Sequence, residues 1–495
     1  MIRAEWTKFR TVRGWVAGVS AAVLVVVLLG VLAALGSHQS CMAGNVEVVC
    51  PPPPTGPGGE AVVDHFTFVH QPLTGDGEIT ARVSGMTGTI TYPPPNHDQI
   101  VAGLVPWAKA GIMVKAGTKP GSAYASVLLS GHHGVRMQAD FTRDVAAPGF
   151  SGEVWLRLKR TGDKITGYAS KDGGTWRRID TVTLAGLPST VQIGLFAASP
   201  NDITEKASPL GGHLVQARFT QAAADFSRVS PAGGWTYENV GDDGGRTDWE
   251  KTHPPGFTES AGIVTVTGSG DIVPLGLTEG MPIEHTLTGL FAALLLVVVV
   301  AVLFVTAEFR RGLIRTTLIA TPSRGRVLAA KAVVIGGVTF AAGLVAAGVT
   351  IPLVVHLLGA RDIFVLPVPW WTALRVVAGT AALLSLAAVF AYALGAIFKR
   401  GVAAVAAAVV LLVVPQLLAT SSVLPTGAGQ WLTRVTPAAA FAVLQSIPAY
   451  PQVFYPYSPA DGYYPLAPWA GLGVLLLYAA AALGLAVARF RRVDA

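Results

Sequence analysis

The sequence predicts a multi-domain membrane protein: a six-helix, all-α transmembrane domain with an all-β sandwich inserted between its first and second spans. Three observations carry that reading. The 495 residues are 51% hydrophobic and only 13% charged, with a mean hydropathy of +0.51, more apolar than the core of a soluble protein of this size requires. Six apolar runs reach the roughly 20 residues that cross a ~30 Å hydrocarbon layer. Between the first two runs, about 250 residues shift to a hydrophobic period of two, the mark of strands. The net charge of +7 and the pI near 9.4 do not indicate a nucleic-acid partner, because the positive residues cluster beside the apolar runs rather than along one soluble face.

The runs are Trp15 to Leu35, Leu287 to Val305, Ala332 to Leu358, Ala373 to Ile397, Val402 to Leu418 and Ala470 to Val487. The first has a basic flank in Arg10 and Arg13, as a signal peptide would. Its apolar part is long for one and "ALGSHQS" is a poor cleavage site, so a retained anchor is expected. Lys and Arg crowd every second gap: before the first span, between the second and third, at Lys399-Arg400, and after the sixth at Arg489, Arg491 and Arg492. By the positive-inside rule both termini face the cytoplasm of a plasma membrane, and the long β-rich gap lies outside the cell.

Residues 1–36 are thus a cytoplasmic helix and the first span. Residues 37–60 form a juxtamembrane loop and stalk. Cys41 and Cys50, the two cysteines of the chain, bracket "MAGNVEVV", and an oxidising exterior would close them into a disulfide that contributes about 2–3 kcal/mol. "PPPPTGPGG" reads as a stiff polyproline stalk ending in a flexible joint.

The sandwich is expected over residues 61–220. In "GVRMQADF", Val135, Met137, Ala139 and Phe141 alternate with polar residues. "EVWLRLKRTGDKITGYAS" reads as a hairpin turning at Gly162-Asp163, which pairs Leu156 with Ala169, Arg157 with Tyr168, Leu158 with Gly167 and Lys159 with Thr166. Residues 221–285 are β-rich too, either a partial extra sheet or the completion of the sandwich. The runs "WAKAGIMVKAG", "YASVLLSGHHGVRMQADF", the hairpin with "KDGGTWRRID", and "VQIGLFAAS" together resemble a concanavalin A-like (laminin-G-like) jelly roll of the branch found beside some bacterial glycosidases. The resemblance implies a sheet face that takes a glycan, with Trp155, Arg157 and Tyr168 as candidates; equally, the aromatics would simply cover a sheet. A hydrolase needs two facing carboxylates, and no predicted strand supplies them, since Asp163 and Asp172 fall in turns. "GHHG" lacks a third metal ligand, and Asp242-Asp243 in "GDDGG" does not match a calcium loop, so no metal site is expected.

The spans hold few polar or ionisable residues, His356 and Gln416 among them, which disfavours ion-coupled transport. The chain has no GxxxxGK[ST] phosphate loop, so any ATP hydrolysis belongs to another polypeptide. "AEFRRGLIRTTLIAT" after Thr306 reads as an amphipathic helix with Phe309, Leu313, Ile314 and Leu318 on one side and Arg310, Arg311 and Arg315 on another. Pro322 stops it, and Ser323 caps the run into the third span. An interfacial anchor among anionic head groups explains this charge without explaining the order of residues.

That order resembles the permeases of ABC exporters of the second (type V) class. Glu308, Arg310, Arg311, Gly312, Thr316, Thr317, Pro322, Arg324 and Lys331 follow the family's pattern in type and sequence, with Phe309 and Arg315 between them. "IRAEWTKFRTVRGWV", with Glu5, Trp6, Lys8 and Arg10, is similar to the family's connecting helix. The resemblance implies a coupling helix over residues 307–322 that docks onto two cytoplasmic ABC ATPase subunits. It further implies a second permease copy, identical or paralogous, and ATP and Mg bound by the partner ATPase with no cofactor on this chain. Residues 286–495 would hold spans two to six. Within them, residues 420–468 fit the family's outer re-entrant helices with an aromatic interfacial belt. The inserted β-region departs from the family's short loop, so the cargo of simpler relatives is not implied.

Overall fold

The computed structural model describes residues 1–43, 46–91, 99–207, 213–242, 248–276, 280–310, 324–421, 423–453, 455 and 457–492. Helices α1 (Ile2–Thr11) and α2 (Arg13–Gly36) come first in the chain; strands and the short α3 (Asp248–Thr252) follow. The remaining helices are α4 (Leu290–Arg310), α5 (Arg324–Gly359), α6 (Trp370–Phe398), α7 (Gly401–Leu412), α8 (Val414–Thr420), α9 (Thr426–Val435) and α10 (Pro468–Arg492).

Among the described residues, six helical stretches are long and apolar enough to cross a membrane. Five of them contain one of the expected runs whole; the second starts at Leu290, three residues into its run, because Leu287 ends the 3₁₀ turn Ile283–Leu287. The third begins earlier than its apolar core, so that Lys331 lies within α5 rather than ahead of it. The fifth is interrupted between α7 and α8, where Pro415 lacks the N–H and crowds the preceding turn. Leu24, Leu28 and Leu32 of α2, Val402 of α7 and Leu477 of α10 are exposed, a distribution that lipid tolerates and water does not. Helix contacts use small residues: a Cβ on Gly343 would lie 2.6 Å from Ala381 Cα, and one on Gly471 would lie 2.0 Å from Ala439 O.

The strands form two large antiparallel sheets. One has seven strands in the order Arg143–Ala147, Val135–Ala139, Tyr124–Ser130, Lys109–Lys115, Thr190–Ala198, Phe66–Thr74 and Thr236–Val240. The other has eight, running Arg177–Thr183, Lys164–Ser170, Val154–Thr161, Gly77–Thr91, Thr220–Ser230, Ile263–Gly268 and Gly256–Ser260, with Ile100–Ala102 also on Gly77–Thr91. The hairpin has the register read from its alternation, Leu156 opposite Ala169 and Arg157 opposite Tyr168. Leu156, Leu158 and Ile79 of one sheet meet Ile112, Val127 and Leu195 of the other in a shared core. Phe141 lies just past its strand, in a turn with φ of 60°, yet is still buried. Strands 220–230, 236–240 and 256–268 belong to these same two sheets, so the segment after residue 220 completes them.

The seven-stranded sheet is buried on both faces, which is why "KAGIMVK" carries no exposed position. Its second face is covered by a small sheet of Val62–Asp64 with Ile272–Pro274. That cover brings the counter-charges for two buried lysines: Lys115 Nζ donates to Asp64 Oδ2 at 2.7 Å, and Lys109 Nζ to Asp271 Oδ1 at 2.5 Å. Burial pushes the Lys115 ammonium down and the Asp271 carboxyl up, and each ion pair opposes its shift.

Cys41 and Cys50 are disulfide-bonded. The Pro-rich segment differs from a stalk with a loose joint. Thr55 bridges Ala61, Gly56 N–H donates to Glu60 O, and Val62 N–H donates to Pro54 O, closing the segment into a turn. Residues 420–468 hold α9 and a wholly buried 3₁₀ turn, Pro437–Leu444. Their tyrosines do not form a belt. Tyr450, Tyr455, Tyr457 and Tyr463 pack with Ala61 and Leu275 of the strand region, and Gln452 Nε2 donates to Phe141 O at 3.0 Å. Exposed aromatics include instead Trp370, Trp371, Trp431 and Trp469, in the N-terminal turns of α6 and α10 and in α9.

Candidate functional site

Four charged side chains from three separated stretches meet where α1 lies against the last turns of α4 and the first turns of α5. In α1, Glu5 and Phe9 stand one turn apart and are buried, while Trp6 and Arg10 face outward. Val12 leaves helical geometry and turns the chain into α2. Glu5 is 8% exposed, Glu308 of α4 2% and Lys331 of α5 1%. Lys331 Nζ donates to Glu5 Oε2 at 2.5 Å and to Glu308 Oε1 at 2.8 Å, and Lys8 Nζ also donates to Glu308 Oε1. The Lys331 ammonium lies 5.0 Å from the centroid of Phe304, which packs against Phe9 and Trp15. Two carboxylates and two ammoniums give a cluster of zero net charge. Burial chiefly, and Lys331 next, hold the Lys8 ammonium below its ordinary range.

The other residues of the predicted coupling stretch divide. Phe309 is half-buried, its ring 6.0 Å from Phe490 and 5.8 Å from Lys399 Nζ. Arg310 ends α4 and Arg324 begins α5. Arg311, Gly312, Arg315, Thr316, Thr317 and Pro322, with Ser323, lie outside the described residues.

The predicted ligand face is assembled on the eight-stranded sheet. Trp155 and Arg157 alternate on one strand, and Tyr168 stands opposite Arg157. Arg157 Nε donates to Thr80 Oγ1 at 3.3 Å, and its guanidinium carbon sits 3.9 Å from the Trp176 ring centroid. Trp155 packs against Gly173, where a Cβ would come within 2.8 Å of the indole. Sequence reasoning missed Trp176. It ends the turn "KDGGTW", and only the three-dimensional path of that turn returns it to Arg157. Asp172 is turn chemistry, as expected: its Oδ1 accepts from Gly174 N–H and Thr175 N–H, which hold the carboxyl well below the usual range. His133 of "GHHG" stacks on Trp107 at 4.1 Å. Asp243 lies outside the described residues.

A third polar group stands at the opposite end of α4. A cavity of about 530 Å³ is walled by Leu287, Leu290, Phe291 and Phe441 and by the polar Glu284 and Gln416. Glu284 Oε1 accepts from Ser446 N–H at 2.9 Å, and Gln416 Nε2 donates to Tyr464 Oη at 2.6 Å. Glu284 Oε2 and Gln416 Oε1 have no hydrogen-bond partner among the described residues. Gln416 stands out in sequence as a lone polar residue in an apolar run; Glu284 gives no such signal.

The sequence matches no protein-family model and no curated protein. Solved structures with partial likeness include a functionally unknown protein from Saccharomyces cerevisiae, at 14% identity and TM-score 0.16 over 34% of this chain and 72% of that one. A mutant of the GH43 protein BlXynB from Bacillus licheniformis gives 17% identity and TM-score 0.17 over 24% of each chain. SCP-B, a member of the eqolisin family of peptidases, gives 9% identity and TM-score 0.23 over 43% of this chain and all of that one. Scores this low carry no argument about fold or activity.

Proposed function

We propose that this chain is the transmembrane permease subunit of an ATP-driven exporter of the second (type V) ABC class, and that it moves its substrate with partner ATPase subunits. The observation that carries the reading is the meeting of Glu5, Lys8, Glu308 and Lys331. They come from the connecting-helix, post-span and pre-span parts of the family's pattern, the first 300 residues or more ahead of the other two, and they close one buried cluster. An interfacial anchor has no need of such a junction. In this reading the coupling stretch, residues 307–322, docks onto an ATPase, and the cluster fastens α1 and the ends of α4 and α5 into one body that moves when the ATPases close. Both termini and the ATPases are cytoplasmic, a second permease copy completes the pathway, and the disulfide-bearing β-region is an extracellular insertion. An open apolar cleft of about 980 Å³ between α4 and α7, walled by Val299, Leu303, Val405 and Val409, suits passage of cargo beside a second copy.

The test is to purify the full chain from its native membranes under mild detergent. An accompanying subunit with a Walker motif, whose ATP hydrolysis rises in the complex, is the expected result; recovery of the chain without an ATPase counts against it.

A second reading is a membrane-anchored glycan-binding or sensory protein. The observation that favours it is the Trp155, Arg157, Tyr168 and Trp176 surface, where stacked rings border guanidinium and hydroxyl groups. It would be preferred if Trp155→Ala and Trp176→Ala abolished polysaccharide binding by a chain that carried no ATPase.

A further inference from the structure

We propose that the cavity between the 3₁₀ turn Ile283–Leu287, the start of α4 and the end of α8 is a binding site for an amphiphilic primary amine, an ammonium head on a small apolar body. The site is independent of the exporter reading and would exist equally in an anchored receptor.

The polar groups specify the head. Glu284 Oε2 and Gln416 Oε1 are shut off from solvent, belong to residues that border one cavity, and have no hydrogen-bond partner among the described residues. Gln416 is only 2% exposed, and its amide nitrogen donates to Tyr464 Oη, which leaves its carbonyl oxygen without a donor among the described residues. Buried acceptors without donors are costly, and native proteins rarely leave two beside the same empty volume. What they lack is a donor, and a primary ammonium brings three.

Charge narrows the class from donors in general to cations. The nearby cation is Arg375, but its two terminal nitrogens donate to Val443 O and Gln445 O, at 3.2 and 2.7 Å, rather than to the carboxylate. Burial raises the Glu284 carboxyl above its ordinary range, opposed first by the hydroxyl and backbone N–H of Ser446 and last by Arg375; Tyr464 and the outward-facing His285 are the other titratable neighbours. A carboxylate so placed is stabilised by an entering cation more than by a neutral hydroxyl. A metal ion is a poorer fit: the described residues bring no group of three His, Cys, Asp or Glu together, and Glu284 is the one carboxylate on the lining.

The walls specify the body. Phe291 and Phe441 stack at 5.2 Å, and Leu287, Leu290 and Leu444 add further apolar surface to the lining. A volume of about 530 Å³ admits a phenyl or short alkyl group with room for ordered water.

The experiment uses the purified full chain in lipid nanodiscs, titrated calorimetrically with 2-phenylethylammonium and n-octylammonium, and with 2-phenylethanol as the uncharged counterpart of the first. Empty nanodiscs give the lipid background. Saturable binding of at least one ammonium is expected, on the order of tenfold tighter than 2-phenylethanol. Glu284→Gln should weaken it by a similar factor and Gln416→Met by severalfold, with unfolding midpoints confirming that both variants fold. The comparison of ligands on the unaltered chain stands even if a variant does not fold. The proposal is overturned if neither ammonium binds above the lipid background, if 2-phenylethanol binds equally well, or if a folded Glu284→Gln chain retains full affinity.

Discussion

At one end of α4, Glu308 shares Lys331 with Glu5 and takes a second hydrogen bond from Lys8; just ahead of the other end, Glu284 takes the backbone N–H of Ser446 and has one oxygen without a hydrogen-bond partner among the described residues. Both carboxylates are removed from water, yet one belongs to a closed cluster of zero net charge and the other borders an open volume. A buried charge that its own chain satisfies holds elements together, because taking away any member strands the rest. A buried acceptor left unsatisfied costs stability in the empty molecule, and that cost is recovered only when something enters. The first end is therefore a mechanical joint and the second a receiving site.

The sharpest break of this contrast is Lys331→Met. It strands Glu5 and leaves Glu308 with Lys8 alone, and it should cost about 3–5 kcal/mol, read as a lower unfolding midpoint of the full chain. Pairing it with Glu5→Gln leaves the Lys8–Glu308 pair intact and should recover much of that loss. A single substitution costing less than ~1 kcal/mol would show that the cluster is not a joint. In the sandwich, Lys115→Met strands Asp64 in the same way, and a cost of about 3 kcal/mol in chemical denaturation would show that the rule holds outside the helices.

At the other end the effects should be small and of different sign. Glu284→Gln should leave the midpoint within about 1 kcal/mol of the parent at neutral pH, or raise it. The pH dependence follows from the raised carboxyl. Above the ordinary glutamate range the unfolded chain ionises freely while the folded one resists, so stability falls as pH rises through that window. The fall should disappear in Glu284→Gln, and below the window the two chains should converge. The smallest effect expected is that of Gln416→Met, a few tenths to about 1 kcal/mol, because losing the bond to Tyr464 is partly offset by removing an unpaired amide oxygen.

Much of this was legible in the sequence, and for physical reasons. The six apolar stretches declare themselves by length, and the hairpin from Val154 to Ser170 declares its register because slipping by one residue would turn Leu156 and Leu158 outward. Glu5, Lys8, Glu308 and Lys331 could be named from their order along the chain. That they touch could not, since a contact spanning 326 residues between Glu5 and Lys331 has no local periodicity to reveal it. Asp64 and Asp271 were silent for the same reason: nothing near them indicates that a small sheet will carry them over Lys115 and Lys109. The tyrosines after Tyr450 misled because an aromatic run beside a span suits a lipid interface, and only the packed strand region shows what covers them. Pro51 to Gly59 misled because composition describes an isolated segment, and this one is closed by its own hydrogen bonds.

The central claim, that Glu308 to Lys331 is where a motor acts, is tested most directly by ATP hydrolysis in a purified complex of this chain with the proposed ATPase partner. The account predicts that Arg311→Ala with Gly312→Leu removes either assembly or the stimulated hydrolysis, while the chain alone keeps its unfolding midpoint. Undiminished assembly together with undiminished stimulated hydrolysis in that double variant would contradict it.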